Sequence, residues 1–298
     1  MVQLTPAALE SVMTVYLNGA FMPLEEAKIP VLDRGFIFGD GVYEVIPVYS
    51  RHPFRLPEHL ARLEASLAAI RIDNPHSRAE WTGLIAKIVA ANPWEDQGVY
   101  LQVTRGVAPR EHLFPKGLAP TVFIMANELV TPARQVVEAG IPAAVLPDFR
   151  WLRCEIKSVS LLGNCMLRTL AADQGAAEAI LVRDGFLTEG AATNIFVVCG
   201  GTILTPPKSN LMLPGITYDV VLEILQAHGI AHTVRPVTEA EVRTADEIWC
   251  TSSGKEVLAI TTLDGRPVGD GKPGPMFHRV YPLYQEFKAT VMRAPAHA

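Results

Sequence analysis

Two short stretches hold most of the chemistry that the residue types of this chain could perform. The first is Arg150-Trp-Leu-Arg-Cys-Glu-Ile-Lys157-Ser-Val-Ser-Leu-Leu-Gly-Asn164, which sets one lysine at the end of a mixed polar and apolar run, before a small turn. An amine in a partly dry setting loses its proton more readily and can attack a carbonyl. The second is Thr188-Glu189-Gly190-Ala191-Ala192-Thr193-Asn194, with Glu189 32 positions beyond Lys157 (189 − 157). An amine for a Schiff base and an anion for a pyridine nitrogen are the pair that pyridoxal phosphate chemistry requires. Each residue also has a plainer reading. A lone lysine is ordinarily a solvated charge, and a glutamate before glycine is ordinarily part of a turn. The apolar neighbours Ile156, Val159, Leu161 and Leu162 weigh against a surface loop at Lys157. Thr193 and Asn194 either orient Glu189 or cap a turn.

A phosphate is held by helix N-termini, backbone N–H groups and hydroxyls. Leu213-Pro214-Gly215-Ile216-Thr217 opens a helix with a glycine and a threonine, and Thr251-Ser252-Ser253-Gly254 closes a strand with three hydroxyls. Either alone is ordinary turn chemistry; together they have the makings of two halves of a phosphate cup. Arg62 shares a helix face with His59, three residues away, and is a surface arginine or a bidentate phosphate clamp. In Arg105-Gly-Val-Ala-Pro-Arg110-Glu-His112-Leu-Phe-Pro115, Arg110 and His112 are two apart, so in an extended segment they point the same way. A guanidinium beside an imidazole can trap a carboxylate, and a basic surface loop is the alternative. The run Asp33-Arg34-Gly35-Phe-Ile-Phe-Gly39-Asp40-Gly41-Val-Tyr43-Glu44-Val45 is glycine-rich but precedes a strand, so it is neither a dinucleotide nor a P-loop fingerprint. Tyr43 offers a hydroxyl to a substrate or packs as a β-favouring aromatic.

The elements that must position these groups follow from pattern and length. A chain of 298 residues suits two domains, and 49% hydrophobic with 19% charged residues excludes global disorder. Residues 1–13 read as an N-terminal extension. An N-terminal α+β domain spans 14–130: strands around Asn18-Gly19, a strand Val42–Tyr49, a helix from Pro57 with Leu60, Leu63, Leu67 and Ile70 on one face, a helix Trp81–Ala91, and strands Val99–Thr104 and Thr121–Met125. A linker is expected over 131–140. The C-terminal α+β domain, 141–298, is expected to carry Lys157 and helices over Asn164–Gly175, Ile216–His228 and Phe277–Met292. The strands are too short and closely spaced for a doubly wound sheet.

The net charge of −5 argues against a nucleic-acid partner, and no apolar run reaches membrane-spanning length. No secretory signal is recognisable at the N-terminus. Cys154, Cys165, Cys199 and Cys250 contain no Cys-x-x-Cys pair, so a zinc site and a disulfide framework are poor readings and reduced thiols in a cytoplasm fit better. Cys154 lines the site near Lys157 or simply packs.

The blocks Asp33-Arg-Gly-x-x-Phe-Gly-Asp-Gly-Val-Tyr-Glu-Val45 and Ile156-Lys-Ser-x-x-Leu-Leu-Gly-Asn164 resemble the fold-type IV pyridoxal phosphate family, and the resemblance runs from about Tyr16 to Lys288. It implies an α+β chain of two α/β domains with the cofactor site at their interface. It implies pyridoxal 5'-phosphate with Lys157 as Schiff-base lysine and proton shuttle, and Glu189 as pyridine partner. Arg62, Ile216, Thr217, Ser252 and Ser253 would hold the phosphate, and Leu213 would pack on the ring. The loop around Arg110 and His112, together with Arg150-Trp-Leu-Arg-Cys154, is most similar to the branch acting on D-amino acids. There Tyr43, Arg110 and His112 would take the substrate α-carboxylate, and the loop would reach a neighbouring subunit in a homodimer. The implied reaction is ping-pong transamination between a D-amino acid such as D-alanine and 2-oxoglutarate. An L-branched-chain aminotransferase, an aminodeoxychorismate-type lyase and a non-enzymatic cofactor carrier are the alternatives. Ala191 and Ala192 depart from the serines frequent after Glu-Gly in that branch.

Overall fold

The computed structural model describes residues 13–294. They form two compact units. The first is the run up to Val130 together with Ile156–Ser160 and the end of the chain from Arg293; the second is Thr131–Glu155 with Leu161–Met292.

The first unit is built on an antiparallel sheet of β1 (Thr14–Leu17), β2 (Ala20–Pro23), β3 (Gly41–Tyr49), β4 (His52–Pro53), β5 (Gln97–Thr104) and β6 (Thr121–Glu128), ordered β2-β1-β6-β5-β3-β4. Asn18 and Gly19 both take positive φ, as a two-residue turn between twisted strands demands. Two helices cover the sheet, Leu56–Ala69 and Arg78–Ala91, the second opened by a capping box between Ser77 and Glu80. Leu60, Leu63 and Leu67 from one helix and Trp81, Ile85 and Ile88 from the other enter one core with Val42, Ile46, Val99, Leu101, Val122 and Ile124. The period of two along β3 sends Glu44 to this buried side, in step with Val42 and Ile46, and turns Tyr43 to the opposite face.

The segment Ile156–Ser160 lies along the free edge of β3. Ser158 pairs with Val42, the Tyr43 amide donates to the Lys157 carbonyl at 2.9 Å, and Val159 N–H donates to Gly41 at 3.1 Å. Lys157 is therefore carried by the first unit, not by the C-terminal one. The cause is local: Ile156 buries itself in the first core, and the edge strand offers unpaired backbone groups.

The second unit holds a mixed sheet of nine strands: β7 (Ile141–Pro147), β8 (Glu178–Arg183), β9 (Phe186–Gly190), β10 (Asn194–Cys199), β11 (Thr202–Thr205), β12 (His232–Val234), β13 (Glu247–Ser252), β14 (Glu256–Leu263) and β15 (Arg266–Pro267). The order is β12-β11-β10-β13-β14-β7-β8-β9, with β15 on β14; β7 runs parallel to both β14 and β8. The expected linker 131–140 is part of this unit and contains a helix, Arg134–Ala139, which buries Val137. The helix expected over Asn164–Gly175 runs Leu162–Asp173, and the closing helix is Pro275–Phe287, followed by a wider π turn, Lys288–Met292. Residues 1–12 of the expected extension lie outside the described residues. Among the described residues no helix is long and apolar enough to cross a membrane.

Candidate active site

In the first unit, the Lys157 ammonium stands 4.3 Å from the centre of the Tyr43 ring, which stacks on Tyr100 at 5.6 Å. The Lys157 amide donates to Ser66 Oγ at 3.2 Å, fixing the backbone from which this amine projects. On the other face of β3, Glu44 is fully buried. Arg62 donates to it through Nε and Nη2 at 2.7 and 2.8 Å, and His59 Nδ1 lies 2.7 Å from its Oε2. Burial works to raise the Glu44 pKa, yet the Arg62 guanidinium and the hydrogen bonds from Arg62 and His59 outweigh it and hold the carboxyl at about 2. Burial lowers the His59 pKa against the pull of Glu44, with the charges of Arg62 and Lys157 adding to the lowering; its Nε2 is buried without a hydrogen-bond partner. Arg62 is thus not the solvated arginine of the plain reading: its guanidinium is braced by a carboxylate.

Arg110 and His112 both lie beside one ring, that of Phe38. The Arg110 guanidinium is 5.5 Å from the centre of Phe38, and the His112 ring is 5.6 Å from it.

In the second unit, Glu189 lies at the inner end of β9, 5% exposed. Arg150 Nη1 donates to its Oε1 at 2.5 Å, and the Leu213 amide to its Oε2 at 3.0 Å. Burial pushes this carboxyl up to about 7, although Arg150 and the Leu213 amide pull it down. Arg150 is itself clamped by Asp148, Nε to Oδ1 at 2.9 Å and Nη2 to Oδ2 at 3.0 Å, and Thr188 Oγ1 donates to the same carboxylate at 2.9 Å. Sequence reasoning assigned no role to Asp148 or Arg150. Their spacing of two in an extended segment, matching that of Arg110 and His112, was the available signal.

Asn194 ties the rest together. Its Nδ2 donates to the Leu213 carbonyl at 3.0 Å and lies 3.5 Å from Glu189 Oε2, and its strand partner is Thr251, one residue before Ser252. Gly215 presses so closely on Asn194 that a Cβ there would come within 2.0 Å of Oδ1. The helix Ile216–Ala227 then starts with no side chain capping its first amides, with Ile216 and Thr217 in its first turn. Unshielded amides, the Thr217 hydroxyl and the Ser252 hydroxyl are phosphate chemistry. Ser253 follows Ser252 in the turn after β13. Ala191 is buried in the core with Leu167 and Ala171, and its carbonyl accepts from Asn164 Nδ2 at 2.7 Å.

Pyridoxal phosphate fits these residues. A buried carboxyl poised near neutrality suits a ring nitrogen that brings its own proton, and an uncapped helix start behind a forced glycine suits a phosphate. The fold, with a lysine at a strand edge of the first unit and a buried glutamate in the second, fits one class, the fold-type IV pyridoxal phosphate enzymes. The comparisons narrow it. The family described as amino-transferase class IV matches residues 41–263. A D-alanine aminotransferase of Bacillus licheniformis is 42% identical over 273 residues, covering 92% of this chain and 96% of the relative. One from Listeria monocytogenes is 40% identical, covering 95% and 97%. Among solved structures, a branched-chain amino acid aminotransferase of T.th. with pyridoxamine 5'-phosphate superposes with a TM-score of 0.86 at 28% identity, covering 95% of both chains. The chain belongs to the class IV aminotransferases.

Proposed function

We propose that this chain transfers an amino group between a D-amino acid such as D-alanine and a 2-oxo acid, 2-oxoglutarate, in a ping-pong course. The observation that carries the D-specific reading is the convergence of Arg110 and His112 on one loop, two donors that can take an α-carboxylate and so decide which face of the α-carbon meets the base. The D-alanine aminotransferases at 36–42% identity support it.

Pyridoxal 5'-phosphate is the cofactor; when bound, it supplies the carbonyl that takes the substrate amine and a ring that spreads the electrons released at the α-carbon. Lys157 would hold the cofactor through its amine, and the same amine would be the base that removes and returns the substrate α-proton. One base on one face serves both directions. Glu189, fixed by Arg150, Asn194 and the Leu213 amide, keeps a negative charge for the ring nitrogen. Ile216, Thr217, Ser252 and Ser253 hold the phosphate, Leu213 packs against the ring, and Arg62, braced by Glu44, adds positive charge for the phosphate. Tyr43 joins Arg110 and His112 at the substrate carboxylate.

We further propose a cytoplasmic homodimer in which the Arg110–His112 loop serves the neighbouring subunit. The exposed apolar side chains Phe36, Val107, Leu113 and Phe114 around that loop support such a contact.

The second reading, an L-branched-chain aminotransferase, is favoured by the solved structures of that kind. Single-turnover mixing separates the two. Loss of the cofactor's resting absorbance with D-alanine and not with L-leucine is expected; loss with L-leucine alone moves the chain to the other branch.

A further inference from the structure

The residues from Arg105 to Pro120 form no helix or strand beyond one bridge, Val107 with Asp33, so something other than a backbone ladder must fix Arg110 and His112. A buried ion network supplies the frame. Asp40 accepts from Arg34 Nε at 2.7 Å and from Arg105 Nε and Nη2 at 2.8 and 2.9 Å. Both arginines then reach into the loop: Arg34 Nη1 donates to the Glu111 carbonyl, between the two candidate carboxylate ligands, and the Arg105 guanidinium stacks on Phe114, 3.7 Å from the ring centre. Arg105 is anchored from behind by the carbonyls of Ile70 and Arg71, at 2.6 and 2.9 Å.

Phe38 ends the short helix Arg34–Phe38, which Asp33 caps by accepting the Gly35 amide at 2.8 Å. Its ring collects three basic groups, Arg34 at 4.6 Å, Arg110 at 5.5 Å and the His112 ring at 5.6 Å, tilted by 47°. A guanidinium and an imidazole that are to serve one carboxylate need a support that leaves their N–H donors open. An aromatic ring gives one, its negative face attracting the guanidinium and its edge or face packing on the imidazole, without competing for those donors. A carboxylate in the same place would occupy those donors and block the substrate.

We propose that Phe38 is a positioning residue for substrate recognition: its ring, fixed by the Arg34–Asp40–Arg105 network, holds Arg110 and His112 side by side in the geometry that accepts the α-carboxylate. The inference rests on the reading of this loop as the carboxylate-binding element. It goes further by assigning the order of an irregular loop to one aromatic ring and a buried acid.

The test uses the cofactor-loaded enzyme and the half-reaction followed by cofactor absorbance, with D-alanine and with ethylamine, which lacks the carboxylate. The variants are Phe38→Leu, Phe38→Tyr, Arg110→Ala and the double variant Phe38→Leu with Arg110→Ala. Phe38→Leu keeps an apolar side chain but no ring face. It should raise KM for D-alanine roughly tenfold, the scale of two weakened ring contacts, with kcat and the ethylamine rate nearly unchanged. Phe38→Tyr should restore KM. The double variant should be no worse than Arg110→Ala alone, because both act through one group. A wild-type KM in Phe38→Leu beside a raised KM in Arg110→Ala overturns the role of Phe38 while leaving the carboxylate reading intact. Equal slowing with D-alanine and ethylamine makes Phe38 a packing residue only and overturns the proposal. An unchanged KM in Arg110→Ala removes the carboxylate reading and the proposal with it.

Discussion

Replacing Glu189 by glutamine should change how stability depends on pH, and the structure sets the size of the effect. Burial raises the folded-state pKa of Glu189 from 4.5 to about 7, against the pull of Arg150 and the Leu213 amide. A carboxyl with a raised folded pKa contributes stability that is present below its unfolded pKa and is lost as the pH rises through the folded one. The gap of 2.5 units (7 − 4.5), at 1.36 kcal/mol per unit, gives about 3 kcal/mol. Measured without cofactor, the wild type should therefore lose about 3 kcal/mol relative to Glu189→Gln between pH 4.5 and 8, or roughly 6–12 °C in Tm at about 2–4 °C per kcal/mol. Comparing the two proteins cancels the other carboxylates, which titrate alike in both. Cofactor added to the wild type should flatten this difference, because a protonated ring nitrogen stabilises the ionised carboxyl. The assay is thermal or urea unfolding of both proteins from pH 4.5 to 8.5, with and without pyridoxal phosphate. Parallel curves for the two cofactor-free proteins would refute the poised carboxyl and with it the reasoning for a ring-nitrogen partner.

Lys157→Ala should abolish turnover and the cofactor's resting absorbance in steady-state and spectral assays; an appreciable residual rate would remove Lys157 as the base. Glu44→Gln leaves Arg62 and His59 facing a neutral amide and should cost about 3 kcal/mol at pH 7.5, the scale of a broken buried ion pair. Because Glu44 is held at about 2, the lost contribution is one that exists above pH 4.5 and fades as the pH falls toward 2, so urea unfolding should show the gap closing in acid. Gly215→Ala puts a methyl within 2.0 Å of Asn194 Oδ1; it should cost about 1–3 kcal/mol by overpacking and weaken cofactor binding in a fluorescence titration, and unaltered affinity would mean that Asn194 does not organise the cofactor groups.

What could be read in the sequence beforehand was mostly local. Alternation along 42–49 and the leucine stripe at Leu60, Leu63 and Leu67 mark a strand and a helix by period alone, and both are there. Arg110 and His112, two apart on one loop, both lie beside the Phe38 ring. Long-range pairings escaped. Glu44, His59 and Arg62 form one buried group only because β3 and the following helix pack face to face, which no spacing within either element reveals. Arg150 stood at the head of a stretch already singled out, yet its partner Glu189 lies 39 residues away. The placement of Lys157 was misjudged for a related reason: chain order suggested the C-terminal half, whereas an open strand edge and one buried isoleucine drew the segment into the first unit.

That five-residue excursion, Ile156–Ser160, bears on how such a protein could be cut or inherited. No single scission divides the chain into its two units, since the first takes five residues from within the run that builds the second. A gene fragment ending at Val130 would encode a first unit with one strand edge bare at Val42 and without the buried Ile156. The lysine on which the proposed chemistry depends therefore belongs, with the four residues of its short segment, to a different unit from the longer stretches on either side of it. Recombination between relatives at the nominal boundary would exchange Lys157 together with the wrong half.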